Sequence, residues 1–196
     1  SWSDHGLPVT CPMATEVRQL SAEGRLRLQR VTDQPGHEAE ILLAAALGKS
    51  SAWVMAHPEE RILDCEATDR YEAYITRRSH GEPVAYVLGE KEFWSLPLEV
   101  TPDVLIPRPE TELVVELALT HLPRERAARV LDLAAGSGAI ALALARELPR
   151  TTVVGTEISP RRPLPWRGAT RSGSASATSC SARAAGSIRS RRNGST

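Results

Sequence analysis

The sequence predicts an α/β chain: an amino-terminal helical bundle, a β-hairpin linker, and the opening of a parallel-sheet domain. Three observations carry this. Residues 130–157, VLDLAAGSGAIALALARELPRTTVVGTE, read as strand, small-residue loop, helix and strand, which is one βαβ unit. Residues 13–83 place apolar side chains at loosely helical spacing between glycine and proline breaks, whereas residues 84–107 switch to short apolar runs.

In chain order, residues 1–12 have no periodicity, and Met13 reads as the natural start, preceded by a disordered extension. From Met13 to Val31, Val17, Leu20, Leu26 and Leu28 keep a helical rhythm that Gly24 weakens. Pro35 and Gly36 break it, and an apolar helix over 37–47 stops at Gly48. Residues 50–56 form a short helical segment, and residues 68–79 a helix with Tyr71, Tyr74 and Ile75 on one side and Arg77 and Arg78 in its last turn.

Between Val84 and Ile106 three apolar runs are punctuated by Gly89, Pro97 and Pro102, and a hairpin is expected to join the bundle to the sheet domain. Pro109, with Glu110 and Glu112 in the first turn, starts a helix that Pro123 ends. The βαβ unit follows as a strand over 129–133, a loop over 134–138, a helix over 139–148 and a strand over 151–156.

Open α/β sheets bind ligands at the carboxyl ends of their strands, where this loop lies. Gly136 and Gly138 lack a Cβ and allow close approach, and the helix start adds free N–H groups. Glu157, about 20 residues on, is placed to accept from ribose hydroxyls. The string GSGAIA also satisfies a dinucleotide pattern. Asp132 discriminates: a carboxylate beside the loop repels a pyrophosphate and suits a ligand carrying an ammonium and a sulfonium, which favours S-adenosylmethionine over NAD.

Composition excludes several classes. Formal charge is zero, yet eight arginines and no acid follow Pro160, so the tail is +8 and residues 1–160 are −8. The three cysteines, Cys11, Cys65 and Cys180, are far apart and form no C-x-x-C pair, which argues for a reducing compartment and against a disulfide framework or zinc site. The five histidines have no metal-ligand spacing. No apolar run approaches the ~20 residues of a membrane span, and no leader-like segment opens the chain, so the expected location is the cytoplasm.

The string GEPVAYVLGEKEFWSLPLEVTPDVLIPRPETE, followed closely by VLDLAAGSGAIALALA, resembles the HemK/PrmC family of protein-(glutamine-N5) methyltransferases. The resemblance covers residues 13–160, and its IPRPETE segment is more specific than the glycine loop. It implies a helical bundle (13–83) that docks on release factors, a hairpin linker (84–107), and the first part of a Rossmann-like methyltransferase domain (108–160). The implied reaction moves a methyl group from S-adenosylmethionine to the glutamine amide in the GGQ motif of peptide chain release factors. The loop match puts Ala134, Ala135, Gly136, Ser137 and Gly138 against the cofactor, with Glu157 on its ribose. Arg108 and Glu110 lie in the segment that borders the active site, as substrate-binding candidates or as a helix cap and surface charge.

Two positions depart from the family. Glycine usually stands at Ala134, so a positive φ there costs alanine about 1 kcal/mol. Aspartate usually stands at Glu157, whose carboxylate reaches one methylene further.

The family grips its amide with an Asn-Pro-Pro-Tyr motif, and the one asparagine of this chain, Asn193, precedes Gly194. Residues 161–196 are rich in Arg, Ser, Ala and Gly and poor in large apolar residues, so they are expected to be a disordered basic tail. With 22 arginines against Lys49 and Lys91, the abrupt change resembles an out-of-frame reading of a GC-rich gene. The expectation is a chain truncated or frameshifted after Pro160: a two-strand sheet open at its edge, marginally stable, weak in cofactor binding and inactive in methyl transfer. The rival for the tail is a nucleic-acid-binding segment, disfavoured without aromatic interleaving. The rivals for the whole are a non-catalytic release-factor-binding module and a fragment of an NAD-dependent oxidoreductase.

Overall fold

The computed structural model describes residues 15–157, 170–174 and 177–182. The expected extension over 1–12 lies outside them, as does the rest of the tail. Internal packing divides the chain into two units, Ser1–Leu88 and Gly89–Thr196.

The first unit is helical. A two-residue strand, β1 (Thr15–Glu16), pairs antiparallel with β2 (Arg61–Ile62). Around them stand α1 (Val17–Leu28), α2 (Pro35–Leu47), α3 (Ser51–Ala56), α4 (Cys65–Ser79) and α5 (Val84–Leu88). The boundaries have local causes. Ser50 Oγ accepts from Trp53 N at 3.1 Å, and Asp64 Oδ1 from Ala67 N at 3.1 Å, which caps α3 and α4. Gly48, at φ 63°, ends α2 in the left-handed region. Val17, Leu20, Leu28, Leu42, Leu43, Tyr71 and Ile75 fill the core.

Gly24 has a role that the helical rhythm concealed. It is buried inside α1, and a Cβ there would overlap Tyr71 Oη. The missing side chain admits the tyrosine ring, whose hydroxyl donates to Leu20 O at 2.9 Å. Burial raises the Tyr71 pKa well above its ordinary value. Nearby, Arg78 Nε donates to Glu38 Oε2 at 2.6 Å and Nη2 to Val31 O, while Thr32 Oγ1 donates to Glu38 Oε1. The charges of this pair are thus taken out of water with partners attached.

Cys65 is disulfide-bonded, a pairing that the sequence argument against a disulfide framework did not anticipate. That argument weighed local spacing, and a disulfide is set by proximity in space.

The second unit starts with the hairpin β3 (Glu90–Phe93) and β4 (Leu96–Glu99), paired in register from Glu90↔Glu99 to Phe93↔Leu96. The linker expected over 84–107 is therefore divided: residues 84–88 are helical and belong to the first unit, while the hairpin packs within the second. A 3-10 turn, Pro109–Thr111, precedes α6 (Glu112–His121), so Pro109 opens that turn and not the α-helix itself. Then come β5 (Arg129–Leu133), α7 (Ala139–Glu147) and β6 (Thr152–Glu157). Strands β5 and β6 pair in parallel, Arg129 with Thr152 through Leu133 with Thr156. The expected βαβ unit is present.

Phe93, Leu96, Leu98, Val115, Ala143, Leu144 and Val153 form the second core, joining hairpin, α6, α7 and β6. On β5 the side chains alternate: Val130 and Asp132 are partly buried, whereas Leu131 and Leu133 are 58% and 71% exposed. The outward face of α6 likewise exposes Leu113, Val114 and Leu117.

The tail departs from expectation. Strands β7 (Thr170–Ser174) and β8 (Ala177–Ala182) form an antiparallel hairpin, and β8 pairs antiparallel with β6, giving the order β5-β6-β8-β7. Scarcity of large apolar residues points to disorder. An edge strand also offers a row of backbone N–H and C=O groups, which a Thr- and Ser-rich segment can pair without an apolar core.

Candidate functional site

The site is built at the carboxyl end of β5. Past Leu133 the chain turns through Ala134 at φ 58° and Gly136 at φ 57°, and reaches Gly138 at φ 77°, the residue preceding α7. Ala135 N donates to Thr156 O at 2.9 Å, which extends the β5 and β6 pairing into the loop. Gly138 N donates to Ala135 O at 2.7 Å and closes the turn, while Gly138 O accepts the first helical bond, from Leu142 N. Ala134 therefore occupies a conformation glycine would adopt without cost, as its departure from the family pattern anticipated.

Exposure falls along the loop: Ala134 is exposed, Ala135 and Gly136 are partly buried, and Ser137 and Gly138 are buried. Ser137 is only 4% exposed, so its side chain serves the loop's interior more than its mouth.

The two carboxylates meet the loop differently. Glu157, 6% exposed at the end of β6, accepts from Gly136 N through Oε2 at 3.0 Å. The acid and the glycine turn, 21 positions apart in sequence, are thereby brought into direct contact.

Asp132 faces the start of α7. Its Oδ2 is buried without a hydrogen-bond partner among the described residues. Burial raises the Asp132 pKa above its ordinary value, and the Ala141 N–H opposes that rise. A buried carboxylate oxygen with spare accepting capacity suits a cationic or hydrogen-donating ligand group and disfavours a phosphate.

Arg108, just before the 3-10 turn, and Glu110, within it, are exposed. Among the described residues no hydrogen bond joins them to the glycine loop. The residue of the IPRPETE segment that ties it to the rest of the unit is Glu112, whose Oε1 accepts from Trp94 N at 2.8 Å. Trp94 Nε1 donates to Glu147 Oε1 at 3.0 Å, and Arg146 Nη1 donates to the carbonyls of Trp94 and Ser95 at 3.1 and 3.2 Å. These four residues were missed in the sequence because their partners are 18 to 53 positions apart. The available signal was a tryptophan at a two-residue hairpin turn that lacks glycine and asparagine.

In the helical unit a groove of about 650 Å³ is lined by Arg18, Arg25, Leu26 and Met55, among others. Leu26 and Met55 are 65% and 62% exposed there. Among the described residues no helix is long and apolar enough to cross a membrane, and no group of His, Cys, Asp and Glu could hold a metal ion.

Comparison with known proteins gives both units relatives. Residues 19–89 match the family described as PrmC N-terminal domain, and residues 111–163 match the methyltransferase small domain. A release factor glutamine methyltransferase of Coxiella burnetii is 50% identical over 143 residues, 73% of this chain and 51% of that protein. One of Aliivibrio fischeri is 41% identical over 151 residues, 77% of this chain and 50% of its own length. One of Escherichia coli (strain K12) is 45% identical over 131 residues, 67% and 47%. The chain spans about half the length of the curated relatives it matches. The helical unit thus matches a PrmC N-terminal domain and the α/β unit part of a methyltransferase domain, so that over both units the chain is similar to the HemK/PrmC family of methyltransferases.

Proposed function

We propose that this chain carries the S-adenosylmethionine site and the release-factor-facing portion of a protein-(glutamine-N5) methyltransferase that acts on the GGQ glutamine of peptide chain release factors. The observation that carries the reading is the contact between Glu157 and Gly136 N–H at the mouth of the glycine loop. The acid that would accept from ribose hydroxyls stands against the turn that would admit the nucleoside, and Asp132 holds a second carboxylate beneath the helix start.

S-adenosylmethionine, when bound, supplies an electrophilic methyl group. Ala134, Ala135, Gly136, Ser137 and Gly138 would receive it along the loop, Glu157 would orient the ribose, and Asp132 would favour its positive charge. An amide nitrogen is a poor nucleophile because its lone pair is delocalised, so transfer depends on holding the glutamine in line with the methyl group. Arg108 and Glu110 would border that acceptor. The helical unit would dock the release factor, with the basic and apolar groove along Arg18, Arg25, Leu26 and Met55 as its contact. Action on release factors implies a cytoplasmic setting.

The 196-residue polypeptide holds no Asn-Pro-Pro-Tyr. Without that grip on the acceptor amide it is expected to transfer no methyl group by itself. Labelled methyl appearing on a release factor incubated with the purified polypeptide would refute that half of the proposal. The cofactor half is tested by calorimetric titration with S-adenosylmethionine and NAD, for the wild type and for Asp132→Asn. The reading expects S-adenosylmethionine to bind and Asp132→Asn to weaken it without weakening NAD. Tighter binding of NAD to the wild type would support the oxidoreductase reading instead.

A further inference from the structure

The turn between β3 and β4 has Trp94 and Ser95 as its two central residues, both at φ 53°. Two-residue hairpins adopt such backbones readily when asparagine or glycine supplies the positive φ. A bulky aromatic residue there is an outlier, and outliers persist where surrounding contacts over-determine them.

Those contacts come from two helices. The first residue of α6, Glu112, accepts from Trp94 N. The last two residues of α7 hold the rest: Glu147 accepts from the indole Nε1, and Arg146 donates to both turn carbonyls. Each of these bonds has a charged partner, so each is stronger than its neutral counterpart. Together with Glu92 and Ser95 they line a polar cleft of about 410 Å³.

The position of this cluster is informative. Glu112 directly follows the turn Pro109–Thr111, which carries the substrate-side segment. Helix α7 begins at the glycine loop, so its far end, clamped on Trp94, lies about 13 Å along the axis from the loop by the rise per residue. A nine-residue helix held at its last turn has little freedom to slide or rotate at its first.

We propose that Trp94 is a positioning residue for methyl transfer: through Glu112 on one side and Glu147 and Arg146 on the other, it fixes the glycine loop relative to the IPRPETE segment. This rests on the methyltransferase reading for its function, though the mechanical coupling does not. Coupling of this kind is established by perturbing one end and reading the other.

The experiment uses the full 196-residue chain. Trp94→Phe keeps the ring and removes the indole donor. It is expected to speed amide hydrogen exchange at Gly136 at least fivefold, with Val153 as the reference for opening of the whole unit, and to weaken S-adenosylmethionine binding by a similar factor. Glu147→Ala should act likewise, the double variant should add little, and Glu147→Gln, which retains a neutral acceptor for the indole, should fall between Glu147→Ala and the wild type. A purely structural role would lower Tm and move Gly136 and Val153 together. Gly136 exchange within twofold of wild type in both Trp94→Phe and Glu147→Ala would overturn the proposal. A wild type that fails to bind S-adenosylmethionine while Gly136 still responds would remove the methyltransferase reading and leave the brace standing.

Discussion

In the helical unit the buried carboxylates have cations beside them, Glu38 with Arg78 and Glu16 with Arg18, and the backbone stays in ordinary conformations; the α/β unit holds Trp94, Ser95 and Ala134, the three non-glycine residues at positive φ among those described, and Asp132 Oδ2, a buried carboxylate oxygen with neither a hydrogen bond nor an ion pair among the described residues. The same contrast appears in how each unit treats its smallest residues. In α1 a glycine stands where helix propensity favours alanine, because Tyr71 needs the space. In the loop an alanine stands where the backbone favours glycine. The first exchange yields to packing. The second retains strain beside the proposed cofactor site, where such strain tends to collect.

The largest expected effect tests the helical side of that contrast. Arg78→Ala would leave Glu38 partly buried opposite no cation, and a loss of about 3 kcal/mol is expected in denaturant unfolding. A loss below 1 kcal/mol would mean that water replaces the guanidinium and that the pair is not structural. Gly24→Ala comes next. Propensity alone would make it stabilising by about 1 kcal/mol, but overlap with Tyr71 Oη and close approach to Ile75 and Ala39 should reverse the sign. A net destabilisation of about 2 kcal/mol is expected. Measured stabilisation would erase the contrast between the two positions.

Ala134→Gly should work in the other direction. Relief of the left-handed alanine is worth about 1 kcal/mol, seen as a rise in the unfolding midpoint of the second unit. No gain, or a loss, would show that the strain is illusory. The smallest effect concerns Asp132. Its raised pKa means that the folded state favours the protonated acid, so the contribution of Asp132 to stability is fully present at low pH and is lost as pH rises through the elevated value. Asp132→Asn should remove that decline in a pH series of melting curves. An unchanged slope would dissociate the residue from the titration.

What could be read from the sequence follows from where the information is stored. Helix α2, strand β5 and helix α7 fall within two residues of their expected bounds, because periodicity, the stop at Gly48 and the glycine loop are local signals. The contact of Glu157 with Gly136 was anticipated only as a ribose-binding acid near a turn; spacing indicated proximity but not which groups would bond. Residues 84–88 deceived because a short apolar run fits a helix as well as a strand. The brace around Trp94 was invisible because none of its partners is close in sequence and its turn lacks the usual residues. The strands at 170–174 and 177–182 were missed because backbone pairing leaves little mark on hydropathy.

The central claim is that the glycine loop and Glu157 together hold a sulfonium nucleoside. The most direct test follows the Gly136 amide resonance during titration of the wild-type chain with S-adenosylmethionine, then with NAD. The account predicts a saturable shift of Gly136 with S-adenosylmethionine, lost in Glu157→Ala and absent with NAD. A Gly136 resonance that ignores S-adenosylmethionine, or that responds only to NAD, would contradict it.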